Sequence, residues 1–248
     1  MNMLKNFIKK ILSTFNYRII SNNYPTDFTE KDIKIIKFVN NYTMTSPERI
    51  KCLIDATKYI VKNKIVGTFV ECGVWRGGSV MAAMLMLKKL KVNNTKFYLF
   101  DTFDGMSEPS NFDRDYSKNK GKDLLQYNTK DKNNKIWCYS PIEEVKKNIF
   151  KTKYPIKNIK FIKGKVEVTL KYYAPKKIAL LRLDTDWYQS TKYELEILFP
   201  RLVKGGVLII DDYGYWKGCK KAVDEYFLKK NTYFQHRIDE TGIILIKK

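Results

Sequence analysis

Apolar residues follow two rhythms along this chain. Short runs dense in Val, Leu, Ile and Phe alternate with longer stretches in which apolar positions return every three or four residues. The short runs predict strands near 67–72, 96–101, 159–163, 177–184 and 205–211, and runs this continuous suit strands buried on both faces. The longer stretches predict helices near 79–90, 142–152, 188–198 and 216–229, with two more at 30–39 and 46–62 ahead of the first strand. Strict alternation of strand and helix implies a parallel sheet covered on both sides. The end breaks the rhythm, because 233–238 and 242–246, separated by Asp239-Glu-Thr, read as a hairpin. The expected fold class is therefore α/β: a doubly wound, mostly parallel seven-stranded sheet with an antiparallel C-terminal hairpin and N-terminal helices.

Two segments fall outside that alternation. In residues 1–22, Leu4, Phe7, Ile8, Ile11, Leu12 and Phe15 recur at helical spacing, with Lys5, Lys9 and Lys10 on the other side. An apolar stripe opposite a basic face predicts either a helix lying on an anionic membrane surface or one docked on the domain or on a second subunit, which keeps a homo-oligomer open. Residues 104–140 are long, polar and rich in Asn, Lys and Asp. A connection of that length predicts a lid or acceptor loop, with Trp137 and Tyr139 as sugar-stacking or packing residues. The chain thus divides into an amphipathic segment at 1–22, a helical extension at 23–66 and the strand–helix domain at 67–248.

Acidic residues stand at the ends of the predicted strands. Asp184 follows the run IALLRL, and Asp211 and Asp212 follow GVLII. In an open α/β sheet such strand ends face the ligand crevice. Carboxylates gathered there repel one another unless a hard cation such as Mg²⁺ neutralises them, or they cap the helices that follow. The first strand ends in Glu71 and runs into a glycine-rich turn, CGVWRGGS, before an apolar helix. Glycines there permit close approach of a ligand to backbone, and the helix start offers N–H groups. The spacing does not match the dinucleotide fingerprint. Asp101 ends the second strand, where an acid commonly receives ribose hydroxyls.

The segments FVECGVWRGGS, FDTFDGM, LRLDTDWYQST, IIDDYGYWKGCKKAVDEYF and RIDETGIILIKK resemble, in order, those of the macrocin-type sugar O-methyltransferases. The resemblance runs from about Thr43 to the C-terminus. It implies a class I methyltransferase domain over 67–248, S-adenosylmethionine as methyl donor, Mg²⁺ as cation and a small-molecule or glycan acceptor. It also implies that Asp184, Asp211 and Asp212 hold the metal and that Asp184 serves as the base. Thr43, Met44, Glu71, Gly73, Arg76, Gly78, Ser79, Asp101, Thr102, Phe103, Gly164 and Asp184 then surround the cofactor, with Ser46 and Arg49 in the segment closing over its methionine end. Lys165 departs from the family, which more often has an aromatic residue after the glycine.

Composition adjusts this picture little. The chain has 248 residues, 44% of them apolar and 14% aromatic, enough for one sizeable core. Its formal net charge is +21, carried by a Lys-, Asn- and Ile-rich composition. Such a balance raises a polyanionic partner as an alternative, a basic nucleic-acid-binding protein among them. No nucleic acid is expected, since LDTDW lacks the Pro-Pro of amino-directed DNA methyltransferases. A phenolic acceptor is the alternative within the same chemistry. Cys52, Cys72, Cys138 and Cys219 are too scattered for a disulfide framework or a zinc site. Reduced thiols and the lack of a predicted membrane span or signal lead to an expected cytoplasmic location, at the inner face of the membrane if residues 1–22 bind lipid.

Overall fold

The structure, a computed structural model, describes residues 24–131, 134–228 and 234–248. The amphipathic segment 1–22 lies outside the described residues. Two helices come first, α1 (Glu30–Val39) and α2 (Pro47–Lys62), and each starts where the sequence supplies a cap. Thr29 and Asp32 form a capping box on α1; the Ser46 hydroxyl accepts from the Arg49 amide on α2, with Pro47 at the first position.

Among the described residues seven strands build one sheet: β1 (Thr68–Cys72), β2 (Phe97–Asp101), β3 (Ile159–Lys163), β4 (Ile178–Leu183), β5 (Leu202–Ile210), β6 (His236–Arg237) and β7 (Ile243–Ile246). Their order is β3-β2-β1-β4-β5-β7-β6. The first five are parallel, and β7 pairs antiparallel with both β5 and β6. Helix α3 (Gly78–Lys89) links β1 to β2, α4 (Gly121–Gln126) and α5 (Ile142–Phe150) lie between β2 and β3, and α6 (Val166–Tyr173) leads to β4. Helix α7 (Tyr188–Leu198) connects β4 to β5, and α8 (Lys217–Leu228) follows β5.

Strand side chains alternate between faces, and the two cores follow that alternation. Phe69, Leu99, Leu180 and Ile209 pack with α1, α2, α3 and α5; Val70, Phe100, Leu181 and Ile210 pack with α6, α7 and α8. Residues 24–66 therefore share the domain core. The same parity places Glu71, Asp101, Arg182, Asp184 and Asp211 on the first face, above Phe69, Leu99, Leu180 and Ile209. Two helices were not expected. Helix α6 reads VEVTLKYY, whose β-branched and aromatic residues are mediocre helix formers, and it is fixed by burial of Val166, Thr169 and Leu170. Helix α4 has only six residues and opens on a glycine. The part of segment 104–140 around Asp113 is held to the domain: Asp113 and Asp115 are buried, and Lys217 N donates to Arg114 O at 2.8 Å. Trp137 directs its indole N–H to the Asn128 carbonyl at 2.8 Å.

Candidate active site

Chain order along the sheet reverses between β1 and β4, so a crevice opens at their carboxyl ends. Two glycines let it close tightly. Gly73 has φ +82°, and a Cβ there would meet the Asp184 carbonyl oxygen at 1.9 Å. A Cβ on Gly78, at the start of α3, would meet the Tyr42 carbonyl oxygen at 2.6 Å. These glycines bring the end of β4 and the segment after α1 against the turn. A cavity of about 360 Å³ results. Asp101 braces the turn from β2: its carboxylate accepts from Val74 N at 2.6 Å, Trp75 N at 3.0 Å and Phe103 N at 2.6 Å. Burial pushes its pKa up, opposed by those three backbone bonds.

The register of β1 on β4 sets Glu71 beside Arg182. Arg182 is the one charged residue of a strand whose six residues are all buried. A buried guanidinium must be paired, and this one reaches four partners. Nη1 lies 2.6 Å from Glu71 and 2.8 Å from Asp184; Nη2 lies 2.5 Å from Asp211 and 3.0 Å from the Thr45 hydroxyl. Arg49 on α2 approaches from the other side, pairing with the second Asp211 oxygen and with Asp239 at 2.8 Å. Ser46 donates to the same Asp239 oxygen at 2.6 Å. Burial and the neighbouring acids push the Glu71 carboxyl up to about 8, against the pull of Arg182.

Beyond the arginines, Asp184, Asp186 and Asp212 each offer an oxygen, all within 4.8 Å of one another. The Asp212 Oδ2 atom is buried without a hydrogen-bond partner among the described residues. Burial and mutual repulsion hold Asp184 and Asp212 well above the usual carboxylate range, and Asp186 at about 7. An orphaned buried oxygen facing two further carboxylates is a donor set of the kind a hard divalent cation takes. The sequence expected Asp184, Asp211 and Asp212 as one ligand set, and two of these stand in the gathered group. Both Asp211 oxygens are engaged by guanidiniums, and Asp186 joins Asp184 and Asp212 in the group.

The sequence matches the family described as Macrocin-O-methyltransferase (TylF) over residues 11–247. The chain belongs to this family. It is therefore an O-methyltransferase. It is 30% identical to the demethyldecarbamoylnovobiocin O-methyltransferase of Streptomyces niveus over 190 residues, 77% of this chain and 69% of that one. It is also 30% identical, over 189 residues, to a rhamnosyl-tetracenomycin-C 4'-O-methyltransferase of Streptomyces olivaceus, covering 75% and 67% of the two chains. Among solved structures, the O-methyltransferase NovP superposes with a TM-score of 0.72 at 27% identity, covering 84% of this chain and 82% of that one. The calicheamicin methyltransferase CalS11, with a TM-score of 0.61 at 16% identity over 90% and 94% of the chains, shares the fold.

Most residues that the macrocin-type resemblance singles out do meet in one place. Thr43, Met44, Glu71, Gly73, Gly78, Ser79, Asp101, Thr102, Gly164 and Asp184 line the cavity, with Asp211 and Asp212. Two of the expected cofactor residues do not line it. The Arg76 guanidinium lies over the Trp75 ring and 3.9 Å from Glu144. Phe103, at φ +50°, turns into the core beside Phe161. Sequence reasoning missed Arg182, Thr45 and Asp186 as site residues. The signal for Arg182 was a charge inside an apolar strand; for Asp186 it was its place two residues after Asp184. Among the described residues no helix is long and apolar enough to cross a membrane.

Proposed function

We propose that this O-methyltransferase moves a methyl group from S-adenosylmethionine to a hydroxyl of a sugar, with Mg²⁺ as its cation. The charge of the cavity carries the reading. Glu71, Asp101, Glu167, Asp184, Asp186, Asp211 and Asp212 line it against Arg49, Lys135, Lys165 and Arg182. Fully ionised, the seven acids exceed the four cations by three charges, which is unfavourable without added cations. One divalent cation and one sulfonium supply that charge. When bound, the sulfonium supplies the methyl group and leaves as a neutral thioether, while the cation supplies the positive charge that favours an acceptor alkoxide.

The chain's own residues divide the remaining work. Asp184 and Asp212, common to the sequence expectation and to the gathered group, hold the cation, since Mg²⁺ commonly takes one or two carboxylates plus waters and substrate. Asp211 stays on its arginines and fixes Asp212 beside it. Asp186 accepts the hydroxyl proton: it stands in the gathered carboxylates beside the two cation ligands, and neither Arg49 nor Arg182 pairs with it. Asp101, fixed by three backbone donors, is placed to receive ribose hydroxyls. Met106, Ile136, Tyr215 and Trp216 give the cavity an apolar and aromatic wall, which suits the face of a sugar ring. The relatives' names, a rhamnosyl-tetracenomycin enzyme among them, support a sugar acceptor. A cell-surface glycan precursor or a glycosylated natural product fits this wall.

Methyl transfer should be assayed over nucleotide sugars, lipid-linked glycans and catechols, in Mg²⁺ and in EDTA. A sugar acceptor should be turned over, and EDTA should abolish the rate reversibly. Asp186→Asn should lower kcat by about 10²–10⁴, the usual worth of a general base, with affinity for S-adenosylhomocysteine unchanged. Full activity in EDTA would overturn the cation, and turnover of catechols alone would move the acceptor to phenols.

A further inference from the structure

The Arg182 guanidinium spans the two halves of the cavity. On one side it bonds Glu71 and the Thr45 hydroxyl. Thr45 belongs to a strap whose neighbour Thr43 packs against Gly78 and which runs on to Ser46 and Arg49. On the other side it bonds Asp184 and Asp211, at the edge of the carboxylate group. A single nitrogen, Nη1, is shared between Glu71 at 2.6 Å and Asp184 at 2.8 Å. Nη1 carries two N–H bonds and gives one to each carboxylate; the two halves thus share one positive charge, and a change in the charge on Asp184 is felt at Glu71. Nothing else among the described residues bonds both Glu71 and Asp184.

We propose that Arg182 is a positioning residue that couples cation binding to cofactor binding. The inference rests on the cofactor and cation reading above. A cation on Asp184 draws that carboxylate away from Nη1. The guanidinium charge is then divided between Glu71 and Asp211 instead of three carboxylates, with Nη2 still on Asp211 and Thr45. Glu71 is thereby held in its ionised form, able to accept from the ammonium of an amino acid, and the strap at Thr45 stays closed. The direction of coupling is positive: the cation tightens the cofactor. By linkage, the cofactor tightens the cation by the same factor. Lysine cannot replace this function, because its ammonium is a point donor without the planar fork that reaches two pairs of partners at once.

S-adenosylhomocysteine is the probe, because it carries the ammonium but no sulfonium, so direct repulsion from the cation does not obscure the coupling. Its dissociation constant is measured by calorimetry for the full chain in EDTA and in saturating Mg²⁺, and the Mg²⁺ constant is measured with and without it. The expected result is a tightening of about tenfold in both directions, within the usual range of coupling between sites. Arg182→Lys should bind S-adenosylhomocysteine in EDTA with the tightening by Mg²⁺ lost. Thr45→Val removes only the strap hydroxyl and keeps the ion pairs, so it carries the test if the lysine variant fails to fold; it should reduce the tightening while Mg²⁺ affinity without the ligand is unchanged. Undiminished tightening in both foldable variants, or equal affinity in EDTA and Mg²⁺ for the unaltered chain, overturns the coupling. Absence of any S-adenosylhomocysteine binding overturns the cofactor reading itself, a distinct result.

Discussion

Asp101 shows how one side chain serves both architecture and chemistry. Its two oxygens accept three backbone N–H groups from the turn after β1 and from Phe103. That bonding fixes the turn, and it leaves the carboxylate lining the cavity. Asp101→Asn keeps the shape but presents an NH₂ group to a backbone donor. Leaving a buried donor unsatisfied costs about 1–3 kcal/mol, so thermal melting should show that loss. Calorimetry should show S-adenosylhomocysteine binding weakened at least about tenfold, the equivalent of 1.4 kcal/mol. Unchanged affinity would remove Asp101 from the cofactor site. Gly73 makes the complementary point. The sequence suggested a glycine for approach of a ligand, and the structure adds a nearer cause, the Asp184 carbonyl oxygen that a Cβ would strike.

Among the elements, the segment after β2 is the one whose docking the sequence showed least. A polar stretch without periodicity predicted a lid or acceptor loop, and Asp113 anchors that segment at two helix starts. Its carboxylate accepts from Tyr188 N at 2.7 Å, at the first residue of α7, and from Ser110 N at 2.6 Å. A Cβ on Gly218, at the start of α8, would lie 1.8 Å from the same carboxylate. Negative charge at a helix start is favourable, so Asp113 holds the segment where both helices begin. Trp187 adds a bond from its indole to Ser107 O at 2.9 Å. Asp113→Ala should release the segment: limited proteolysis within 104–140 should accelerate, acceptor KM should rise, and affinity for S-adenosylhomocysteine should stay. An unchanged cleavage pattern would show that other contacts suffice. This docking was not legible in the sequence, because an aspartate among Asn, Lys and Asp carries no local mark of a partner 75 residues away.

Taken whole, the molecule sets an acidic cavity inside a basic chain. The formal charge of +21 says nothing of the sign at the switch point. Stability should report that buried acidity. Glu71 is raised from 4.5 to about 8, and Asp186 from 3.8 to about 7, burial being the first cause in each. The folded state therefore binds more protons than the unfolded state between about pH 4 and pH 8. By linkage, their contribution is fully present below the unfolded values and is lost as pH rises through the folded ones. Asp32 and Asp239 are lowered, their hydrogen bonds and cations outweighing burial, and their contribution is lost instead as pH falls below 3.8. In EDTA, melting temperature should fall between pH 5 and pH 8, and Mg²⁺ should lessen that fall, because a bound cation replaces the protons. A melting temperature that rises steadily over this range in EDTA would contradict the burial of these acids.

Local pattern determined the strand–helix order, the doubly wound sheet with its antiparallel end, and the acids at the strand ends. Periodicity sets which face each strand residue takes, so Glu71, Asp101, Asp184 and Asp211 were bound to rise on one face once the strands were paired. The motif order further placed the chain among the macrocin-type O-methyltransferases. Tertiary structure alone decided which acid is neutralised by which cation. Asp211 leaves the gathered carboxylates because Arg49 arrives from α2, 162 residues away, and Arg182 from the neighbouring strand. The strap at Ser46 closes because it finds Asp239 in the hairpin turn, 193 residues away. Such pairings depend on sheet register and helix docking, which a one-dimensional pattern of apolar and polar residues does not encode.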